Sequence, residues 1–429
     1  MITRAVAALA LVAGCGPDVT PPALAIDAAP AVDASTPMRV RVLSIGGERP
    51  QGAPALGARV GFLPPTGAPV VITTGDDGLA TADMPSGTVI VVAQSRGFGV
   101  ADTTIVFDVD AGADLTLGDR ATPQIVGDNL GMRRATVAPW DGVVELAASC
   151  SSGSGGQLGA ELTWFQFGCA RATDATVVAR GYGDDGLQVY AVLTHVDLRV
   201  DAPLTLPAWR PVTAARLVLT NLPLSLESAF AQRVAHDGLD DWSQVSSGAP
   251  VEGASVVLPL RSIPIGERTI TSVDLREDGL VAYRAQLRRP VTELTTVVDV
   301  GGDAPPRVTS SLFTVDERRL TWSYQGSGRR PDLIRALILS DVDGFGRVHE
   351  IIAPGGRTSL VLPPLPPEFA DVDFDGVTPA FLQSLGAVEL PDVLGFADAA
   401  SLVDLWTPTR GSLDASLGRA PFDWWITGA

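Results

Sequence analysis

The chain of 429 residues contains no lysine, so arginine supplies all 31 of its basic residues, against 49 aspartates and glutamates. The formal net charge is −18 at pH 7. Binding of nucleic acid requires clustered cations that neutralise phosphates, and docking on an anionic membrane by charge requires them too. The composition therefore argues against both nucleic-acid partners and charge-driven membrane docking.

Long hydrophobic runs are also missing beyond the N-terminus, so no later segment is predicted to cross a membrane. Hydrophobic residues nevertheless make up 46% of the chain, which is enough for buried cores. A chain of this length is expected to form several domains of ordinary size.

The one apolar run near the N-terminus has the size of a secretory signal. Arg4 precedes Ala5–Ala13, and this run is too short to span a bilayer. It leads into Leu11-Val12-Ala13-Gly14-Cys15, which resembles the lipobox of bacterial lipoproteins. The resemblance implies a signal peptide over residues 1–14, cleavage before Cys15 and attachment of lipid to its sulfur. An ordinary signal peptide with a chance cysteine is the alternative.

Localisation and anchoring are inferred from the same resemblance. Gly16 stands where an aspartate typically signals retention in the inner membrane, so an outer-membrane lipoprotein of the cell envelope is implied. Residues 15–37 are rich in Ala, Pro and Asp and lack a helical or strand period, which predicts a flexible tether. The lipid would be the membrane anchor, since each buried methylene contributes about 0.8 kcal/mol.

Cysteine is scarce. Only Cys150 and Cys169 remain once Cys15 is assigned to lipid. An even remainder in an exported protein predicts one disulfide between these two residues. Two unpaired, buried thiols are the alternative.

After the tether, the hydrophobic pattern is that of β-strands. Val40 and Val42 alternate with arginines, and the turn Gly75–Gly78 lies between two apolar runs, as in a hairpin. The order of strand, Asp-Asp-Gly turn, short strand, Met84-Pro85-Ser86-Gly87 and valine-rich strand resembles carboxypeptidase-regulatory-like domains. This resemblance covers residues 38–118. It implies a small transthyretin-like β-sandwich, which in that family is usually non-catalytic.

The rest of the chain repeats short, strand-sized segments separated by turns. These segments are Val143–Leu146, Glu161–Trp164, Thr176–Ala179, Leu187–Thr194, Arg216–Leu219, Ala254–Leu260, Thr269–Leu275 and Val281–Leu287. The pattern predicts β-sandwiches in series, with domains over residues 119–209, 210–303 and 304–429. The last boundary is placed at the Gly- and Pro-rich stretch Gly301–Pro306.

Two short helices are predicted in the last domain. Thr378-Pro379 has the pattern of a helix start, with Ala380–Leu385 as the helix and Gly386 as its end. Phe396–Trp406 is the second helix. The expected fold class is therefore all-β, with tandem immunoglobulin- or transthyretin-like β-sandwich domains and one or two short helices in the last domain.

The best candidate for a metal site is the acidic loop that contains Asp371, Asp373 and Asp375, followed by Gly376. Alternate aspartates and a glycine turn can gather oxygens around a structural Ca²⁺. The twelfth position is Leu382, so the bidentate glutamate of an EF-hand is missing. The alternative is a surface turn whose aspartates cap backbone N–H groups. No other cofactor is predicted.

Signals for an enzyme are thin. His195, His236 and His349 have no partner visible in the sequence, and the zinc-protease pattern begun by His349 fails because its second histidine is replaced by Ala353. The Gly-x-Ser-x-Gly pattern of hydrolases is absent. No catalytic residue is predicted, although carboxylates distant in sequence could meet in the fold, as they do in glycosidases.

Tryptophan offers a second kind of binding site. Trp424-Trp425, or Trp164 with Phe165 and Phe167, could stack on sugar rings from an exposed sheet face. Packing inside cores is favoured, because Trp322 and Trp424 occur on apolar alternations.

The sequence thus predicts a lipid-anchored cell-envelope protein with a structural or interaction role, which binds a protein or glycan partner without catalysis. One alternative is a carbohydrate-active or other hydrolase whose carboxylates converge only in the fold. Another is a calcium-dependent adhesion module that uses Asp371, Asp373 and Asp375.

Overall fold

The computed structural model describes residues 36–44, 54–92, 103–119, 130–148, 151–155, 157–158, 161–166, 172–236, 241–342, 345–373, 380–393, 395–406 and 423–428. Over these ranges strands predominate, and only two short α-helices are present. Neither helix is long and apolar enough to cross a membrane. The predicted all-β fold class is confirmed.

The first part of the protein packs two layers of strands face to face. Its strands are β1 (Met38–Ser44), β2 (Arg59–Leu63), β3 (Val70–Thr73), β4 (Leu79–Ala82), β5 (Ser86–Val92), β6 (Thr103–Asp110) and β7 (Asp114–Asp119). One layer has the order β4-β1-β7, and β6-β5-β2-β3 belongs to a larger sheet. Val40 and Val42 are buried while Arg39 and Arg41 are exposed, as the alternation predicts.

The second part also contains two sheets. Its strands are β8 (Gly131–Thr136), β9 (Val143–Ala148), β10 (Ser151–Gly155), β11 (Gln157–Leu158), β12 (Glu161–Gln166), β13 (Ala175–Gly183), β14 (Gly186–Val196), β15 (Leu204–Thr205) and β16 (Arg210–Pro211). The sheet orders are β10-β9-β13-β14-β16 and β11-β12-β8-β15. Leu146, Val177 and Ala135 lie in the apolar core of this part.

The third part is a sandwich with a short helix at its end. Its elements are β17 (Thr213–Thr220), β18 (Ser228–His236), β19 (Asp241–Pro250), β20 (Ser255–Ser262), β21 (Arg268–Glu277), β22 (Leu280–Pro290), β23 (Thr295–Asp299) and α1 (Val300–Asp303). One layer has the order β20-β17-β23, and β19-β18-β21-β22 forms the other. Asp278 and Gly279 connect β21 to β22 with φ of 50° and 76°, so this hairpin turn needs residues that tolerate the left-handed region.

The last part contributes the centre of the larger sheet. Its elements are β24 (Arg307–Thr314), β25 (Arg319–Gln325), β26 (Leu333–Val342), β27 (Phe345–Pro354), β28 (Ser359–Val361), a 3-10 turn (Pro367–Phe369), β29 (Ala380–Glu389), α2 (Phe396–Trp406) and β30 (Trp424–Gly428). The strands β24-β25-β28 form a separate sheet.

One twelve-stranded sheet joins the first, third and last parts. Its order is β19-β18-β21-β22-β30-β29-β26-β27-β6-β5-β2-β3. The parallel pairing of β27 with β6 aligns Glu350 with Thr104, and β30 lies between β22 and β29. Three segments that the sequence predicts as tandem domains therefore share one hydrogen-bonded sheet. The positions of the domain boundaries stay a prediction.

The predicted helix over Ala380–Leu385 is wrong, because these residues belong to β29. Pairing with β26 on one side and β30 on the other satisfies the backbone of β29. Gly386 does not end a helix but lies inside the strand, where a Cβ would come within 2.8 Å of the carbonyl oxygen of Thr427. The second predicted helix, Phe396–Trp406, is confirmed.

Candidate functional site

The segment Pro363–Asp373, here called the strap, covers one face of the large sheet. Phe369 and Val372 of the strap are fully buried and pack in the same core as Ile105 and Ile338. The Phe369 ring approaches β2 so closely that a Cβ on Gly61 would lie 2.6 Å from it. A glycine at this position is therefore required for the strap to pack.

Two arginines fix the strap at two of its aspartates. Arg59 of β2 donates from Nη1 and Nη2 to the two carboxylate oxygens of Asp371, at 2.8 and 2.7 Å. Arg318, between β24 and β25, donates to Asp373 at 2.7 and 3.2 Å and to the carbonyl oxygen of Pro363 at 2.8 Å. Such two-pronged pairs are the strong form of a charge-assisted hydrogen bond.

The calcium prediction has to be considered against these pairs. Asp371 and Asp373 each have an arginine as partner, and the hydrogen bond from Arg59 lowers the pKa of Asp371. Asp375 lies outside the described residues. In the part of the chain that the structure describes, no three His, Cys, Asp or Glu side chains are placed to hold a metal ion. Calcium binding by this loop stays a prediction.

A buried hydroxyl–imidazole–hydroxyl chain lies close to the strap. Ser340 Oγ is 2.8 Å from His349 Nε2, and Thr103 Oγ1 is 2.7 Å from His349 Nδ1. Burial lowers the pKa of His349 to about 4, with the charge of Asp373 opposing this shift. The imidazole is therefore neutral at physiological pH.

The Ser340–His349 contact has the distance of a nucleophile and its general base. His349 is 0% exposed, however, and Ser340 is 3% exposed, so a substrate has no route to the hydroxyl in this conformation. The hydroxyl of Thr103 contacts the second ring nitrogen, at the position where a catalytic triad has a carboxylate. The arrangement suits packing better than nucleophilic catalysis.

The opposite face of the same strands carries a buried ion pair. Arg335 Nε donates to Glu350 at 2.6 Å, and both side chains are at most 2% exposed. Beside them, Asp404 of α2 accepts from Thr104 Oγ1 at 3.2 Å and from the backbone N–H of Gly118 at 2.5 Å. These contacts tie α2 to strands from the first part of the chain.

A pair of carboxyl groups lies where β29 ends and β26 begins. The carboxyl of Glu389 lies close enough to that of Asp332 for the two groups to interact, and it is 3.1 Å from Arg329 Nε. Burial, followed by the negative charge of Asp332, raises the pKa of Glu389 to about 7. The pKa of Asp332 is also raised by burial, although the backbone N–H of Leu390 donates to it at 2.7 Å. The two groups can therefore share one proton near neutral pH.

The remaining candidate residues are dispersed. His195 contacts Asp174 at 2.8 Å on the surface. The side chain of His236 lies outside the described residues, as do Cys15, Cys150 and Cys169, so lipidation and the disulfide stay predictions.

The structure tests the tryptophan predictions only in part. Trp424 and Trp425 are 0% and 2% exposed and lie in two different cores, and Trp322 is buried as well. Packing is therefore confirmed for these residues, and stacking of Trp424-Trp425 on a sugar is wrong in this fold. The side chain of Trp164 lies outside the described residues.

The sequence reasoning missed Arg59, Arg318, Asp332 and Glu389. Each of the carboxylates that the two arginines bind is far away in sequence, 312 and 55 positions for the two pairs. A signal did exist for the buried ion pair, because Arg335 interrupts the apolar run that begins β26. A charged residue inside such a run requires a buried partner.

Comparisons with known proteins identify no family for this chain. No family model matches the chain, and no curated protein matches it. Among solved structures, it is similar to a DUF3823 family protein from Parabacteroides merdae, with 11% identity, coverage of 59% of this chain and 96% of that one, and a TM-score of 0.15. It is also similar to a protein titled "putative cell adhesion protein" from Bacteroides ovatus, with 13% identity, coverage of 38% and 84%, and a TM-score of 0.14.

Proposed function

We propose that this chain is a lipid-anchored protein of the bacterial cell envelope, with a carboxypeptidase-regulatory-like first domain, and that it binds a protein or glycan partner without catalysing a reaction. The observation that carries the proposal is the twelve-stranded sheet, which unites strands from three parts of the chain. A continuous hydrogen-bonded sheet is a stiff support for surface loops, and binding residues are often held on loops of such a scaffold.

The burial of several polar side chains supports the same proposal. Ser340, His349, Arg335 and Glu350 are all buried in contacts with other parts of the protein. Because these four side chains are buried and bonded to other residues, they help to fix how the strands pack, and none of them faces solvent. The lipobox resemblance supplies the anchor in this proposal, at Cys15.

Two measurements test the proposal. Cys15→Ala should abolish labelling by a palmitate analogue and shift the protein from the membrane fraction to the soluble fraction. Binding of the purified full chain to envelope glycans and envelope proteins, with no turnover of ester, peptide or glycoside substrates, is the expected second result. Retention of the variant in the membrane would contradict the anchor, and turnover by the wild-type protein would contradict the non-catalytic role.

A hydrolase is the second candidate, and the carboxyl pair favours it. Glu389, whose raised pKa of about 7 leaves it partly protonated at neutral pH, could act as a general acid beside Asp332. Glu389 itself is only 4% exposed, so a substrate would have to reach it from the side of Arg329, whose side chain is 49% exposed. A panel of glycosides tests this candidate. Activity that disappears in both Glu389→Gln and Asp332→Asn, with unchanged folding by circular dichroism, would establish it.

A further inference from the structure

The outer face of the smaller sheet in the third part carries a row of three valines, here called the valine row. In this sheet, which has the order β20-β17-β23, Val218 of β17 is paired with Val257 on one side and with Val297 on the other. Directly paired residues point to the same face of a sheet, with Cβ atoms about 5 Å apart. Leu217 and Leu258, the chain neighbours of two of the valines, are buried in the core of the sandwich, so the valine row points away from that core.

The valine row is open to solvent. Val257 and Val297 are 55% and 63% exposed, and Val218 lies half-buried between them. Single exposed apolar side chains are normal on protein surfaces, whereas contiguous ones mark interaction surfaces. The row therefore suits a partner that presents apolar side chains in the same spacing.

A positive charge lies on one side of the valine row. Arg216 is two residues before Val218 on β17, so it is on the same outer face, and it is exposed. Its Nε donates to Oγ1 of Thr295 on β23 at 3.0 Å. The guanidinium of Arg216 therefore leans from the central strand over β23.

A negative charge lies on the other side of the row, on β23 itself. Asp299 is two residues after Val297 and is exposed. Its carboxylate accepts from the backbone N–H of Gly302 at 3.1 Å and from Nδ2 of Asn221 at 2.9 Å. Both donors are neutral, so Asp299 keeps a negative charge that is available to an incoming cation.

This arrangement of charges makes the face complementary to itself. A two-fold axis that runs along the valine row, in the plane of contact, places each valine against the same valine of a second copy and exchanges the two sides of the row. Arg216 of each copy, which leans over β23, then faces Asp299 of the other copy, and the contact occurs twice. An axis along the strands would instead place Arg216 against Arg216, and like charges in contact disfavour that arrangement.

We propose that a second copy of this chain docks on the valine row and forms a symmetric dimer in which Arg216 of each copy pairs with Asp299 of the other. The strands of the two copies then run nearly antiparallel, as aligned packing of two sheets allows. Three strands about 4.8 Å apart and four rows of outward residues about 6.7 Å apart outline about 400 Å² per copy. A standard interface buries about 800 Å² per partner, so the dimer should be weak and should depend on concentration. The proposal does not depend on the proposed function.

Sedimentation equilibrium of the purified full chain tests the dimer, at concentrations up to the millimolar range. Reversible formation of a dimer is expected in the wild-type protein. Val297→Asp should weaken it at least tenfold, because the new carboxylates of the two copies face each other and the charge of Asp299 is nearby. The matched control is Leu280→Asp, since Leu280 is 72% exposed on the other sheet of the same part, and its association should equal that of the wild type. A wild-type protein that stays monomeric would overturn the proposal, as would equal effects of the two aspartate substitutions.

Single cysteines test the direction of the axis, and they also test the dimer if Val297→Asp does not fold. With the axis along the valine row, Val297→Cys lies opposite itself and should form an intermolecular disulfide under mild oxidation. The wild type and Val143→Cys set the background, because Val143 is 64% exposed in the second part of the chain. Arg216→Glu should reduce both this cross-linking and the dimer, since it places a glutamate against Asp299. Cross-linking of Val297→Cys no greater than the background would overturn the proposed geometry.

Discussion

Arg59 and Asp371 are 312 positions apart in sequence and form a two-pronged ion pair, with N–O distances of 2.8 and 2.7 Å. Arg59 Nη1 also donates to the carbonyl oxygen of Glu368, and its guanidinium lies 5.5 Å from the centre of the Phe369 ring. One side chain of β2 therefore holds the strap by charge, hydrogen bond and cation–π contact. The first and last parts of the chain are joined through this arginine as well as through the shared sheet.

Removal of the arginines that hold the strap should reduce stability unequally. Arg318→Met is expected to lower the free energy of unfolding by about 1–3 kcal/mol, because it leaves Asp373, only 20% exposed, without its partner. Arg59→Met should cost about 1 kcal/mol, since Asp371 is 56% exposed and water can replace the guanidinium. Urea unfolding of the full chain measures both.

Arg319→Met is the matched control, because the Arg319–Glu317 pair is 45% and 62% exposed. Its stability should stay within about 0.5 kcal/mol of the wild type. If Arg318→Met is no more destabilising than Arg319→Met, the strap is not held by its ion pairs.

Glu389 should make the protein less stable as the pH rises through the neutral range. The pKa of Glu389 is about 7 in the folded protein, and its ordinary value of 4.5 applies to the unfolded chain. Between pH 4.5 and pH 7 the folded protein therefore binds more protons than the unfolded chain. Stability must therefore fall as the pH increases from 4.5 to 7. Glu389→Gln cannot ionise and keeps a donor towards Asp332, so it should lack this fall, a difference of about 1–3 kcal/mol across the window.

The comparison between wild type and variant is made by urea unfolding at half-unit pH intervals. The exposed Glu317→Gln serves as the control and should follow the wild-type curve at every pH. If the stability of the wild type and that of Glu389→Gln change with pH in parallel, the pKa of Glu389 is not raised towards 7.

His349 should act on stability in the opposite direction. Its pKa is about 4 in the folded state and 6.5 as the ordinary value, so the unfolded chain binds the proton first as the pH falls. The stabilisation that neutral His349 contributes is fully present above pH 6.5 and is lost as the pH falls towards 4. His349→Gln should flatten this loss, measured by the same unfolding series. His195→Gln, at a side chain that is 84% exposed, should leave it in place.

Local pattern was sufficient for most strands and for one helix. Val40 and Val42 alternate with exposed arginines because β1 has one buried face. Asp278-Gly279 forms the turn between β21 and β22 because that turn needs residues with positive φ. The Ala380–Leu385 prediction failed because β26 and β30 pair with this segment from distant parts of the chain. Tertiary pairing of this kind overrides a local helical pattern.

The sites were harder to predict than the strands. The sequence identified Asp371 and Asp373 as acidic loop residues. It could not identify Arg59 and Arg318 as their partners, because any of the chain's 31 arginines could have paired with them. Arg233 was not identified from the sequence as a buried residue. Only the pairing of β18 with β21 shows that it points inward beside Thr271.

Calcium binding by the strap is decided by a thermal melt of the full chain in excess calcium and then in excess chelator. A cation bound only by the folded state raises the midpoint, and more so as its concentration exceeds the dissociation constant. We expect no rise, because Asp371 and Asp373 are already neutralised by arginines, and a cation would have to displace both guanidinium groups. A rise that is lost in Asp373→Ala would overturn this expectation and favour the calcium-dependent adhesion module. Arg318→Met sharpens the test. Without the guanidinium, Asp373 is free to take a cation, so a calcium response in this variant alone would show that the arginine excludes the metal.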